Sequence, residues 1–155
     1  SRRGPLNVYL WAPINLRSPD GPHRNIPMAD ASANLLFDVF GFPDYASFRR
    51  ILAPNGRLVR VTPGDRHLIQ LREIIYPNIK PRSERAPYQE TFNVVSEKHI
   101  TYEMSLGTEE LKSLLLMTPH MFRSTPERRQ QALSKDQLTL TVDVIFEELE
   151  TATIE

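Results

Sequence analysis

The sequence predicts a mixed α/β fold: a mostly parallel sheet flanked by helices, with an antiparallel pair of strands at the C-terminal end. Three observations carry this. Short apolar runs at residues 35–40 and 57–62 stop at glycine or proline turns, as buried parallel strands do. Helix-spaced segments follow each of them. Two later runs alternate: Ile100, Tyr102, Met104 and Leu106 oppose Thr101, Glu103 and Ser105, while Leu138, Leu140, Val142, Val144 and Phe146 oppose Thr139, Thr141 and Asp143. A period of two marks half-buried strands of the antiparallel or edge part of a sheet.

In chain order, residues 6–11 have strand-type side chains that stop at Pro13, and Tyr9 and Trp11 read as core. Ser18-Pro19-Asp20-Gly21-Pro22 is a turn by composition. After the 35–40 run, Asp44 caps a helix whose Phe48, Ile51 and Leu52 share one face, closed by Pro54-Asn55-Gly56. Asp65 caps the next, with Leu68, Leu71 and Ile75 toward the core. Residues 77–90 show no periodicity, hold three prolines, and have the length of a lid or binding flap. Thr108 caps a helix with Glu109 and Glu110 in its positive first turn, and this helix stops at Met117-Thr118-Pro119. Thr125 with Pro126 starts the last helix.

Composition excludes several functions. With 155 residues and 40% hydrophobic content, one packed domain over residues 1–155 is expected. Nineteen basic and nineteen acidic residues cancel, so net charge makes no case for nucleic acid. The absence of cysteine removes disulfides, zinc–thiolate sites and thiol catalysis from this chain. No apolar run reaches the roughly 20 residues of a membrane span, and a cytoplasmic protein without a membrane partner is expected. His23, His99 and His120 have no partner at metal spacing, so no metal is expected. No Ser-His-Asp order or phosphate-binding loop stands out.

The candidate site residues cluster after the two apolar runs, where open α/β sheets place ligands. Thr62-Pro63-Gly64-Asp65-Arg66-His67-Leu68 reads as strand end, glycine turn and helix start. His67 reads either as a ligand contact or as a surface histidine beside a helix start. Phe40 and Phe42 either stack a base that has left its helix or plug the core. Lys80, Arg82 and Arg85 are candidates for phosphate contacts, diluted by Glu84 and Glu90. Arg128 and Arg129 sit on a polar helix face. Asp38 is an acid/base candidate or an aspartate at a sheet edge, and Asp30 either contacts an adenine edge through its neighbours or, the favoured reading, polarises a turn.

Taken in order, His23-Arg24-Asn25-Ile26-Pro27 with Asp30, Leu52-Ala53-Pro54-Asn55-Gly56, Val61-Thr62-Pro63-Gly64 with Arg66-His67-Leu68, Leu71, Ile75-Tyr76, and Leu116-Met117-Thr118-Pro119 resemble the C-terminal half of a class I S-adenosylmethionine-dependent methyltransferase. The narrower resemblance is to the 23S rRNA guanine-N1 methyltransferases, over about residues 23–146, with about 1–22 unassigned. It implies a Rossmann-like fold in which residues 35–41 are the fourth strand, 57–62 the fifth, and the two alternating runs the sixth and seventh. It implies S-adenosylmethionine as cofactor, bordered by Thr62, Gly64 and His67. Phe40, Phe42, Pro43 and Asp44 would form the substrate-positioning loop, and Lys80, Arg82 and Arg85 would face rRNA. Family members also carry a four-cysteine zinc module and a glycine-rich first loop, and this sequence contains neither. The resemblance therefore implies an enzyme completed by further polypeptide. The alternative is a non-catalytic, methyltransferase-derived protein that pairs, as a homo-oligomer or with a partner chain, across an open sheet edge.

Overall fold

The computed structural model describes residues 8–11, 26–41, 43–79, 88, 91–118 and 120–153. The elements run β1 (Val8–Trp11), β2 (Ala33–Val39), α1 (Tyr45–Ile51), β3 (Leu52–Pro63), α2 (Ile69–Ile75), β4 (Phe92–Gly107), α3 (Thr108–Met117), α4 (His120–Arg123), α5 (Pro126–Leu133) and β5 (Gln137–Thr151). The strands form one sheet in the order β1-β2-β3-β5-β4. β1 and β3 run parallel to β2, with Leu36 opposite Tyr9 on one side and Leu58 on the other.

Beyond β3 the direction reverses. Contacts between β3 and β5 step in opposite senses, from Arg57 with Glu148 and Glu150, through Arg60 with Glu147, to Gly64 with Asp143. β4 and β5 behave likewise, with Ser96 on Glu148, Thr101 on Asp143 and Ser105 on Thr139. The mixed sheet with its C-terminal antiparallel pair is thus as expected. The last strand inserts between β3 and β4.

The chain divides into two compact units. The first contains β1, β2, α1, β3 through Thr62, the beginning of β4 and the end of β5. Its core gathers Leu36 and Leu58 from neighbouring strands, Phe48 and Ile51 from α1, and Phe92 and Leu149. Phe48 and Ile51 are wholly buried, and burial of such side chains contributes roughly 1.5–3 kcal/mol each. Asp44 caps α1 as expected: its carboxylate accepts from the Ser47 amide at 3.2 Å and from the Ser47 hydroxyl at 2.6 Å. The Pro54-Asn55-Gly56 turn is present, with Asn55 at φ 63°. It lies inside the bounds of β3 and shifts the register against β2.

The second unit contains α2 to α5, the rest of β4 and β5 through Val144. Leu68, Leu71, Ile75, Leu111, Leu115, Ala132 and Leu140 form its core. α3 ends at Met117 and Thr125 caps α5 with Pro126 in its first turn, both as expected.

Three readings need correction. Asp65 does not cap α2. That helix starts at Ile69 behind Leu68, which holds a left-handed φ of 53° with no side-chain cap, because an extra turn separates strand from helix. Thr108 is the first residue of α3 rather than its cap, a position taken by Gly107, while Glu109 and Glu110 do lie in the first turn. β5 is not half-buried. From Leu140 to Val144 both faces are covered, because β5 is an interior strand whose polar side chains are engaged. β4 behaves as an edge strand, and Tyr102, expected on its apolar face, is 53% exposed.

Candidate functional site

β2 and β3 are parallel, so their carboxyl ends open at the same edge of the sheet, the region where α/β sheets bind ligands. Each of the two units holds one group of polar side chains.

In the first unit, Asp38 of β2 and Arg60 of β3 are cross-strand partners. Arg60 continues the row to Glu147 of β5. The charged atoms stand 3.7 Å apart for Asp38 and Arg60 and 4.0 Å for Arg60 and Glu147, and all three residues are buried. The Arg60 guanidinium lies over the rings of Tyr45 and Tyr88 at 5.4 and 5.7 Å. Tyr88 donates to Glu147 at 2.6 Å. Burial pushes the Asp38 carboxyl up to about 6, against the lowering pull of Arg60 and of a backbone hydrogen bond from Gly41. Burial likewise pushes Tyr45 up to about 12. Asp38 is thus not at a sheet edge but enclosed, on an inner strand. Thr62, two residues beyond Arg60, has its hydroxyl oxygen buried and without a hydrogen-bond partner among the described residues.

In the second unit, the turn from Gly64 to Leu68 is bound to β5. The Gly64 amide donates to the Asp143 carbonyl at 2.8 Å, and the Arg66 amide to the Asp143 carboxylate at 2.9 Å. Thr101 donates to the other carboxylate oxygen at 3.2 Å. The Asp143 amide donates to Nδ1 of His67 at 3.2 Å. Gly64 is required by this approach: a Cβ there would stand 2.4 Å from the Asp143 carboxylate. Arg72 of α2 ties the same turn by donating to the Asp65 carbonyl.

The remaining candidates separate as follows. Phe40, at φ 52° and 44% exposed, sits at the end of β2 with its amide on the Val61 carbonyl. Pro43 is half-buried. Asp44 is occupied in capping α1. Asp30 pairs with Arg50 at 2.6 Å. Arg128 and Arg129 donate to main-chain carbonyls, of Ile74 and of Met121 and Ser124 respectively, so they cap helices. His120 takes part in a 2.6 Å bond with the Tyr76 hydroxyl. Phe42, Lys80, Arg82, Arg85, His23, Arg24, Asn25, Pro119 and the side chains of Tyr9 and Trp11 lie outside the described residues. Among the described residues no group of three or more histidines or carboxylates could hold a metal. No helix among them is long and apolar enough to cross a membrane.

Asp143 and Glu147 were not singled out from sequence. Asp143 sits in the alternating pattern of residues 138–146, where a polar residue reads as facing solvent, and Glu147 lies just beyond it. No local signal set them apart, because the pairing of β5 with β3 joins residues far apart in sequence.

No protein-family model matches this sequence. A protein of Bacillus subtilis (strain 168) named "Putative 23S rRNA (guanine-N(1)-)-methyltransferase YxjB" is 27% identical over 123 residues, 76% of this chain and 44% of that protein. A Micromonospora griseorubida protein named "Putative 23S rRNA (guanine-N(1)-)-methyltransferase" is 29% identical over 126 residues, 77% and 42% respectively. A solved structure from Bacillus halodurans C-125, described as that of "a putative methyltransferase", has a TM-score of 0.46 at 16% identity, over 86% of this chain and 70% of that one. The chain spans less than half the length of the curated relatives it matches. Over three quarters of its own length, the chain resembles the 23S rRNA guanine-N1 methyltransferases.

Proposed function

We propose that this chain supplies the C-terminal part of an S-adenosylmethionine-dependent methyltransferase acting on a guanine ring nitrogen of ribosomal RNA, in the cytoplasm. The observation that supports it most is the sequence similarity over 123 and 126 residues to two proteins carrying that name. In this reading the Thr62–His67 segment forms one wall of the cofactor site. Thr62 holds a buried hydroxyl without a partner among the described residues, Gly64 brings the backbone close to β5, and the His67 ring lies in the turn. These residues would border the cofactor, whose sulfonium supplies the methyl group when bound. The chain's part is alignment, since methyl transfer in line needs no nucleophilic side chain. Phe40, Phe42, Pro43 and Asp44 border the substrate in this reading, and Lys80, Arg82 and Arg85 meet RNA phosphates.

The glycine-rich half of the pocket comes from further polypeptide in this reading. β1 ends the strand order, and its outer edge is where a partner chain or a second copy would add strands. Calorimetry with S-adenosylmethionine tests the proposal. Heat of binding from the native protein with its accompanying polypeptide is expected, and no heat at millimolar cofactor in either state rejects it.

A further inference from the structure

In a regular antiparallel pair, residues opposite each other exchange both backbone hydrogen bonds. At the end of β3, the Gly64 amide donates to the Asp143 carbonyl. The Gly64 carbonyl accepts from the His67 amide at 3.2 Å. The Asp143 amide, on a buried strand, still needs an acceptor, and His67 Nδ1 provides it. One step along, the pattern repeats. The Thr141 carbonyl accepts from the Leu68 amide, while the Thr141 amide donates to the Gln70 side-chain oxygen at 2.8 Å. Side chains of the turn and of α2 thus take over the ladder where β3 ends.

This has a chemical consequence for the histidine. A ring nitrogen that accepts from a backbone N–H carries no proton, so the neutral ring must hold its proton on Nε2. The arrangement depends on Asp143 through its side chain as well. The buried carboxylate accepts from Arg66 in the turn and from Thr101 on β4, fixing the backbone that carries the ring. We propose that Asp143 is the positioning residue of the Gly64–Leu68 turn, holding His67 in the tautomer whose Nε2 edge is an N–H donor. The inference deepens the cofactor-wall reading and rests on it for its purpose, because a donor edge suits an acceptor such as the carboxylate of an amino-acid moiety. The tautomer itself needs no ligand to be measured, so its failure and the failure of the cofactor reading are distinguishable.

The test is long-range 1H–15N NMR of the full chain at pH 8, without ligand. The expected result is a His67 ring with unprotonated Nδ1 and protonated Nε2, kept in Asp143→Asn, whose amide oxygen still accepts from Arg66. In Asp143→Ala the two ring nitrogens move toward averaged shifts as both tautomers populate. A native ring protonated on Nδ1 overturns the proposal, and so does a folded Asp143→Ala with the native signature. Amide exchange gives a second measurement should Asp143→Ala not fold. The Asp143 amide is expected to exchange at least tenfold faster in His67→Ala, and an unchanged rate overturns the hydrogen bond on which the tautomer depends.

Discussion

Gly64 shows how one residue can be fixed by a neighbour far away in sequence. With a Cβ only 2.4 Å from the Asp143 carboxylate, Gly64→Ala forces either the turn or β5 to move. Overpacking of this kind costs about 1–3 kcal/mol, and the carboxylate also loses geometry with Arg66. Urea unfolding is expected to show a loss of at least about 2 kcal/mol for Gly64→Ala. A smaller loss is expected when the same change is made in an Asp143→Ala background, where the space is open; equal losses in both backgrounds would place the strain elsewhere.

Asp38 gives a second residue-scale prediction, for which the sign follows from burial. Its carboxyl is raised from 3.8 to about 6 in the folded protein, so the folded state holds the proton more tightly than the unfolded chain. Its contribution to stability is fully present below about pH 4 and is lost as pH rises through about 6. Asp38→Asn cannot titrate. Between pH 4 and pH 7 the native protein is therefore expected to lose about 2 kcal/mol relative to Asp38→Asn. Melting temperatures of the two across that range measure it, and parallel curves would show that Asp38 is not desolvated as described.

At the scale of elements, the helix starts differ in what holds them. Asp44 accepts two hydrogen bonds from Ser47 at the start of α1, so Asp44→Ala is expected to cost about 1 kcal/mol by denaturant unfolding. Thr108 lies within α3 rather than before it, and its hydroxyl meets only the Lys135 carbonyl at 3.3 Å among the bonds described. Thr108→Ala is expected to change stability by less than about 0.5 kcal/mol. A reversal of the two values would contradict the cap assignments.

Much of the element order was legible because local rules govern it. Apolar runs bounded by Gly41 and by Pro63-Gly64 gave β2 and β3, alternation gave β4 and β5, and Thr125-Pro126 gave α5. Sequence could not show that β5 lies between β3 and β4, since that depends on pairing over long separations. With this position unknown, Thr141 and Asp143 read as solvent-facing residues of a half-buried strand. Once β5 is interior, the same residues are buried and must find partners, and Asp143 finds them in the Gly64–Leu68 turn. The mistaken cap at Asp65 has the same origin: the turn is held by β5 and by Arg72, not by a local side chain. His67 was legible as a candidate only through its sequence context. Its bond to the Asp143 amide, and hence the direction of its donor edge, depends on the sheet.

At the scale of the molecule, each unit holds its own polar group, one built on Asp38, Arg60 and Glu147 and the other on Asp143 and the Gly64–Leu68 turn. Under the proposed function, Thr62, Gly64 and His67 border the cofactor. The sequence has six glycines spread singly along the chain and no glycine-rich loop for the facing wall. Under the proposed function, the facing wall comes from further polypeptide. Titration of S-adenosylhomocysteine into the native protein, recovered with whatever polypeptide accompanies it, tests this most directly when repeated with His67→Asn. That substitution keeps an acceptor for the Asp143 amide but removes the Nε2 donor. The account predicts saturable binding to the native protein and binding at least tenfold weaker for His67→Asn at unchanged melting temperature. Absence of binding to the native protein at millimolar ligand, or equal affinity for both, would contradict it.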